Sequence, residues 1–300
     1  RAVQFVNRHI NSNHADQRGI VGMAHHPELR QAAPTVLCLG DPQRKVVSIQ
    51  NLYAQSATFP IAEKFDPEIK ASSLASPLPG RPARPGLIHP AQVPRRSPAT
   101  LAGRAALVHA ICHIEFNAIN LALDAVWRFD AMPRAFYLDW LRVASEEALH
   151  FSLLRAHLQS LEHQGRRWDY GDFPVHDNLW SMCEKTADDV TARMALVPRT
   201  LEARGLDATP LIQAKLRRVG TVDALQAVDI LDIILRDEVG HVAIGNHWYH
   251  WLCAQRGLEP VAHYRELSKR YGAPRLHPPF NDAARRRAGF TDEELAELLQ

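Results

Sequence analysis

From about residue 97 to 257, apolar residues recur at three- and four-residue intervals over stretches far longer than strands allow, the signature of long amphipathic helices. Helix A is predicted from Ser97-Pro98, read as an N-cap followed by proline at the first helical position, to about Phe129, with a stripe of Val108, Ile111, Ala118, Ala122 and Ala125. Pro133 opens helix B, which runs to about Gln164 before Gly165 and carries Trp140, Val143, Ala144, Phe151 and Leu154 on one face. A polar, aromatic loop follows from Arg166 to His176. Helix C starts near Asp177, bends at Pro198, breaks at Gly205 to Pro210 and resumes to about Gly220. Helix D spans Thr221 to Gly257, with Leu231, Ile234, Leu235, Val242 and Gly245 on its apolar face.

Upstream, residues 27–70 read as short helices, with Asp41-Pro42 as a start signal and Val46, Val47, Leu52 and Tyr53 as apolar positions. Residues 71–98 hold seven of the twenty prolines and form an extended arm. The tail carries one more helix, started by a capping box of Thr291 and Glu294. Nothing reads as a strand. The expected fold class is all-α: a four-helix bundle over 99–257, an N-terminal helical and proline-rich extension over 27–98, a C-terminal tail with a short helix over 258–300, and an extra segment over 1–26.

Polar residues on the apolar faces carry the chemistry. Helix B contains Glu147-Ala148-Leu149-His150 and helix D contains Glu238-Val239-Gly240-His241. Residues three apart share a helical face, so each pair can offer a carboxylate and an imidazole to one metal or to neighbouring metals. A carboxylate in a core costs several kcal/mol unless it is paired, and a metal ion satisfies two at once. Glu115 lies on the apolar stripe of helix A; it and the Glu147/His150 pair are equidistant from the turn at Ala131-Met132-Pro133, so an antiparallel hairpin sets them face to face. Glu202 on helix C stands as far before the Gly220-Thr221 turn as Glu238 and His241 stand after it. Its rival Glu184 shares a face with Asp177, Ser181, Asp188 and Thr191, a solvated pattern.

Glu115, Glu147, His150, Glu202, Glu238 and His241 therefore form a candidate ligand set of four carboxylates and two histidines, suited to two iron ions or an iron/manganese pair. Asp237, four residues before His241, and Glu146, four before His150, are placed to orient the two imidazoles. Tyr137 and Trp140 read as core packing, and His109, His113, His247 and His250 as packing or surface residues.

Composition narrows the remaining choices. The net charge of +2 is too small to argue for nucleic acid, and the arginine pairs (Arg95-Arg96, Arg166-Arg167, Arg217-Arg218) are interspersed with acids. Four cysteines, Cys38, Cys112, Cys183 and Cys253, lie far apart with no Cys-x-x-Cys pair, which fits a reduced cytoplasm. No apolar run reaches the roughly 18 residues that span a bilayer, and no secretory leader is recognisable. Residues 1–22 precede Met23 and are expected to be dispensable.

Glu147-x-x-His150, the string Arg236-Asp237-Glu238-Val239-Gly240-His241-Val242-Ala243-Ile244-Gly245, the segments His113-Ile114-Glu115, Leu196-Val197-Pro198-Arg199 and Leu201-Glu202-Ala203-Arg204-Gly205-Leu206-Asp207, and the proline-rich arm together resemble the domain-of-unknown-function 455 family, within the ferritin-like superfamily, over residues 27–300. Asn120 stands where relatives carry a second helix A glutamate. The resemblance implies a ferritin-like fold with a di-metal centre and names no substrate. The expected function is an oxidoreductase that activates O2 to hydroxylate or oxidise an organic substrate, a small molecule or a nucleoside, served by an electron-donor protein. The alternatives are a non-catalytic, iron-handling or metal-stabilised protein, and, by analogy of architecture alone, a tRNA-modifying hydroxylase. A monomer or small homo-oligomer with no membrane attachment is expected.

Overall fold

A computed structural model describes residues 28–62, 64, 78–94 and 96–299; the expectations for residues 1–22 and for the start of the arm, 71–77, lie outside them. Side-chain caps set where the first helices begin. Glu28 accepts from the Arg30 amide to open α1 (Leu29–Leu37), and Asp41 accepts from the Arg44 amide to open α2 (Pro42–Ala54), with Pro42 in the first turn. The long helix α3 (Leu101–Arg128) starts later than predicted. Its cap is Thr100, whose hydroxyl accepts from the Gly103 amide at 3.1 Å, while Ser97 closes the preceding turn. A Cβ on Gly103 would sit 1.8 Å from the Ser97 carbonyl oxygen, so only glycine admits this entry. Pro133 precedes α4 (Arg134–Ser160), as expected.

The fold is all-α, and the described strands are a two-residue antiparallel pair, Glu162–His163 with Arg166–Arg167; no strand was predicted, and the first of them replaces the last turn predicted for helix B, since α4 ends at Ser160. The chain divides into two compact units.

The first unit comprises Arg1–Gly86, Arg95–Pro174 and Thr221–Ile230. Here α3 and α4 form an antiparallel hairpin, with α1 packed on α3 and α2 on α4. Val108, Ala118, Ala122 and Ala125 of the stripe predicted on α3 and Trp140, Ala144, Phe151 and Leu154 of α4 are buried, Ile111 is half-buried, and α3 also buries Phe116, Ile119, Leu123 and Val126. By length and composition α3 could cross a membrane, but 72% of its most apolar window is buried inside the protein, which marks a core helix.

Two buried cations tie the N-terminal helices to this hairpin. Arg30, fully buried, donates to the Val126, Trp127 and Ala62 carbonyls and ion-pairs with Asp130. Lys45, also fully buried, donates to the Leu37 carbonyl at 3.1 Å, the Gly80 carbonyl at 2.8 Å and Asn120 Oδ1 at 2.6 Å. One ammonium thus joins α1, α2, the arm and α3. Burial, with the charge of Arg81 adding, pushes the Lys45 amine down to about 7. The arm meets α1 tightly: the Gly80 amide donates to the Leu37 carbonyl, and a Cβ on Gly80 would lie 2.1 Å from the Cys38 carbonyl oxygen.

The second unit comprises Leu87–Pro94, Val175–Gly220 and Leu231–Gln300. It holds α5 (Asn178–Lys185), α6 (Val190–Leu196), a π-helical stretch over Val197–Glu202, and α7 (Ala203–Val219), which ends at Gly220 with φ 70°. The predicted helix C therefore differs in two ways. The bend at Pro198 takes the form of a π-helical turn, and α7 runs unbroken through Gly205 to Pro210. Pro210 has no N–H for the Leu206 carbonyl, but Asn281 Nδ2 donates to that carbonyl at 3.1 Å and replaces the missing bond. The long helix α8 (Val222–Arg256) begins in the first unit and continues through the second. The tail has three helices where one was predicted: α9 (Pro260–Tyr271), α10 (Asp282–Arg287) and α11 (Asp292–Glu297). The capping box of Thr291 and Glu294 opens α11 as expected.

Lys45→Met keeps the bulk but removes the donor to the buried Gly80 carbonyl and Asn120 Oδ1, while the Leu37 carbonyl keeps the Gly80 amide. The substitution should lower unfolding free energy in urea by about 3 kcal/mol. A loss under about 1 kcal/mol would show that the ammonium does not organise this junction.

Candidate metal centre

The α3–α4 hairpin brings Glu115, Glu147 and His150 together. His150 Nδ1 lies 3.0 Å from Glu147 Oε2 and 3.4 Å from Glu115 Oε2. One ligand atom from each residue falls within 4.8 Å of the others, and all three residues are buried. The register read from the turn is thus the register of the hairpin.

Electrostatics make this group demanding. Burial, then the charge of Glu147, pushes the Glu115 carboxyl well above the usual carboxylate range; His150 works in the opposite direction. Glu115 Oε2 accepts no hydrogen bond among the described residues. Without a cation the group must retain a proton or bear carboxylate repulsion in a low-dielectric core. Two carboxylates and an imidazole are the oxygen and nitrogen donors that suit iron or manganese, so the group could hold a metal ion.

Around the group the rings are apolar. Phe116 and Phe151 flank Tyr170, with ring centres 5.5 and 5.1 Å from it. The histidines of α3, assigned by sequence to packing or surface roles, are both buried and pin the 166–176 loop. His109 Nε2 accepts from the Gly171 amide at 2.9 Å, and His113 Nδ1 lies 2.8 Å from the Tyr170 hydroxyl. Burial lowers His109 to about 4, so it is neutral at pH 7.

The second unit carries the other three predicted residues, all buried. Glu238 and His241 share a face of α8, with His241 Nδ1 3.4 Å from Glu238 Oε1. Glu202 closes the π-helical stretch. Its level is set by a notch: a Cβ on Gly245 would lie 2.5 Å from Pro198 Cβ, so Gly245 admits Pro198 against α8. Glu202 is four residues after Pro198, and His241 four before Gly245. In an antiparallel pair both steps lead the same way, which sets Glu202 level with His241. Arg199 Nε donates to Asn246 Oδ1 at 2.8 Å, a second contact between the π-helical stretch and α8. The rival Glu184 is exposed and accepts from Trp180 Nε1 at 3.1 Å.

Asp237 Oδ1 accepts from Arg236 Nε at 2.8 Å, and Glu146, partly exposed, lies 4.0 Å from Arg142. The π-helical turn was missed by sequence reasoning. Its signal was Pro198 inside an otherwise helical period, which announces a distortion without specifying its kind.

Fold and site define an all-α protein with a buried glutamate–histidine cluster that could hold a metal ion. The chain belongs to the family described as "Protein of unknown function (DUF455)", which matches residues 38–296. It is also 47% identical over 274 residues to a Haemophilus influenzae protein named "Uncharacterized protein", covering 88% of this chain and 91% of that relative. No solved structure matches.

In the metal-free protein, burial and Glu147 hold the folded Glu115 carboxyl above its ordinary value of 4.5, so between those two values the folded chain keeps a proton that the unfolded chain has lost. Stability should therefore fall as pH rises above 4.5 and on through the raised folded value. Glu147→Gln removes the neighbouring charge. It should flatten that decline and raise metal-free stability at pH 7 by about 1–2 kcal/mol. Equal or greater destabilisation at pH 7 would contradict the repulsion.

Proposed function

We propose that Glu115, Glu147, His150, Glu202, Glu238 and His241 are the ligands of one pair of divalent ions, the set expected of a ferritin-like protein. In this reading the chain is an O2-activating oxidoreductase. The observation that supports it best is the buried Glu115–Glu147–His150 group, whose charge is satisfied by a cation better than by a proton shared in an apolar core. The second Glu-x-x-His, on α8, offers the same donor types, and the close approach of Pro198 to Gly245 supports reading Glu202 as its neighbour.

A bound iron pair, or iron with manganese, supplies redox-active positions where O2 can be reduced. The chain's own residues do the rest. Four carboxylates balance the charge of two divalent ions, so the loaded core is near neutral. The two imidazoles are borne on rigid helix interiors, and Asp237 and Glu146 are assigned as partners that fix their orientation. Phe116, Phe151 and Trp140 keep water from the α3–α4 half of the site. The Tyr170–His113 hydrogen bond holds the 166–176 loop over α3, where a proton can pass between phenol and imidazole. The substrate is an organic molecule, and an electron donor supplies the reducing equivalents.

Metal analysis after reconstitution with Fe(II) or Mn(II) should give close to two ions per chain. Glu147→Ala and His241→Ala should each reduce that content sharply. Oxygen uptake by the iron-loaded protein with an added reductant should exceed that of Glu147→Ala. A protein that takes up two irons but consumes no oxygen beyond simple iron oxidation would favour iron handling over oxygenation. No bound metal after reconstitution would end both readings.

A further inference from the structure

Glu202 sits at the end of the only described π-helical stretch, a local geometry that costs hydrogen-bond quality and persists only where its surroundings enforce it. Residues from three other elements enforce it here. Arg199, in the middle of the stretch and 3% exposed, is caged by rings from three elements: Tyr249 of α8, Tyr264 of α9 and Phe290 just before α11, at 4.7, 4.8 and 5.2 Å from its guanidinium carbon. Its Nε donates to Asn246 of α8, and its guanidinium ion-pairs with Glu294 of α11, whose side chain is also 3% exposed. Glu294 is held in turn by His250 Nε2 at 2.7 Å and by the α11 capping box. Asn246 Nδ2 donates to the Ala288 carbonyl at 2.7 Å, a second tie between α8 and the tail. The neighbouring Thr200 hydroxyl meets the Tyr264 hydroxyl at 2.7 Å and donates to the Ala195 carbonyl at 2.8 Å.

We propose that the C-terminal segment is a positioning latch for the metal site: Glu294 on α11 clamps Arg199, Arg199 holds the π-helical turn, and the turn aims Glu202. Occupancy of the metal position that Glu202 serves is then conditional on the docked tail, while the position served by Glu115, Glu147 and His150 is not. Glu294 and Arg199 are positioning residues, not ligands. The inference rests on the reading of Glu202 as a ligand. Its two readouts separate failure of that reading from failure of the latch.

The test compares Glu294→Gln with Leu295→Ala, which loosens the packing of buried Leu295 but keeps the ion pair. In the metal-free full-length protein, Glu294→Gln should speed amide exchange over residues 198–203 by about tenfold or more, against unchanged exchange in α3 and α4. Leu295→Ala should leave that segment slow. After loading with Mn(II), Glu294→Gln should retain close to one tightly bound ion per chain and Leu295→Ala close to two, with Glu294→Asp between them. If Glu294→Gln does not fold, Arg199→Lys serves instead, because it keeps the charge but loses the planar fork and ring cage. Unchanged exchange at 198–203, or faster exchange with two ions still tightly held, would overturn the latch. A wild-type protein that binds fewer than two ions would instead overturn the reading of Glu202 as a ligand, and the exchange comparison alone would then decide whether Glu294 holds the turn.

Discussion

Carboxylates on apolar helix faces are the constraint around which this fold is arranged. Glu115 and Glu147 are buried within reach of one imidazole, in a hairpin whose core is largely hydrocarbon and aromatic. Proteins usually neutralise buried acids with arginine or lysine. Here Lys45, Arg104, Arg199 and Arg285, all buried, are engaged elsewhere: with carbonyls and Asn120, with Asp223, with Glu294 and with Asp207. The cations serve as fasteners between elements. Glu115, Glu147 and His150 form a separate buried group, and it could hold a metal ion.

This division of labour explains the extent of structure outside the long helices. The N-terminal helices and the arm converge on Lys45 and Arg30, which grip α3 and the turn that follows it. The tail helices converge on Arg199 and Arg285, which grip the π-helical turn and α7. Both sets of appendages act on the helices that carry candidate ligands, and rigid ligands need such support.

Much of this was legible in the chain. Two Glu-x-x-His pairs on apolar faces, and a glutamate the same distance from a proline-marked turn, were enough to place Glu115 against Glu147 and His150, because hairpin register follows from turn position. Glu202 was separable from Glu184 because burial follows the polarity of neighbours one turn away. What was not legible depends on distant partners. The start of α3 at Thr100 depends on a close approach between Ser97 and Gly103, and the continuity of α7 through Pro210 on Asn281, 75 residues from the carbonyl it satisfies. The π-helical turn needs Gly245 and Arg199 with its ring cage; of the two extra tail helices, α10 has six residues, too few to show a period, and the twelve-residue α9 buries only Val261 and Leu267. The buried histidines of α3 looked like ordinary packing residues because their partners lie in an irregular loop.

The most direct test of the central claim is anomalous diffraction from crystals of the protein grown with Mn(II). Two peaks are expected inside the protein, both held by residues of the set Glu115, Glu147, His150, Glu202, Glu238 and His241. Crystals with no internal peak at saturating Mn(II), or with manganese only at surface carboxylates, would contradict it.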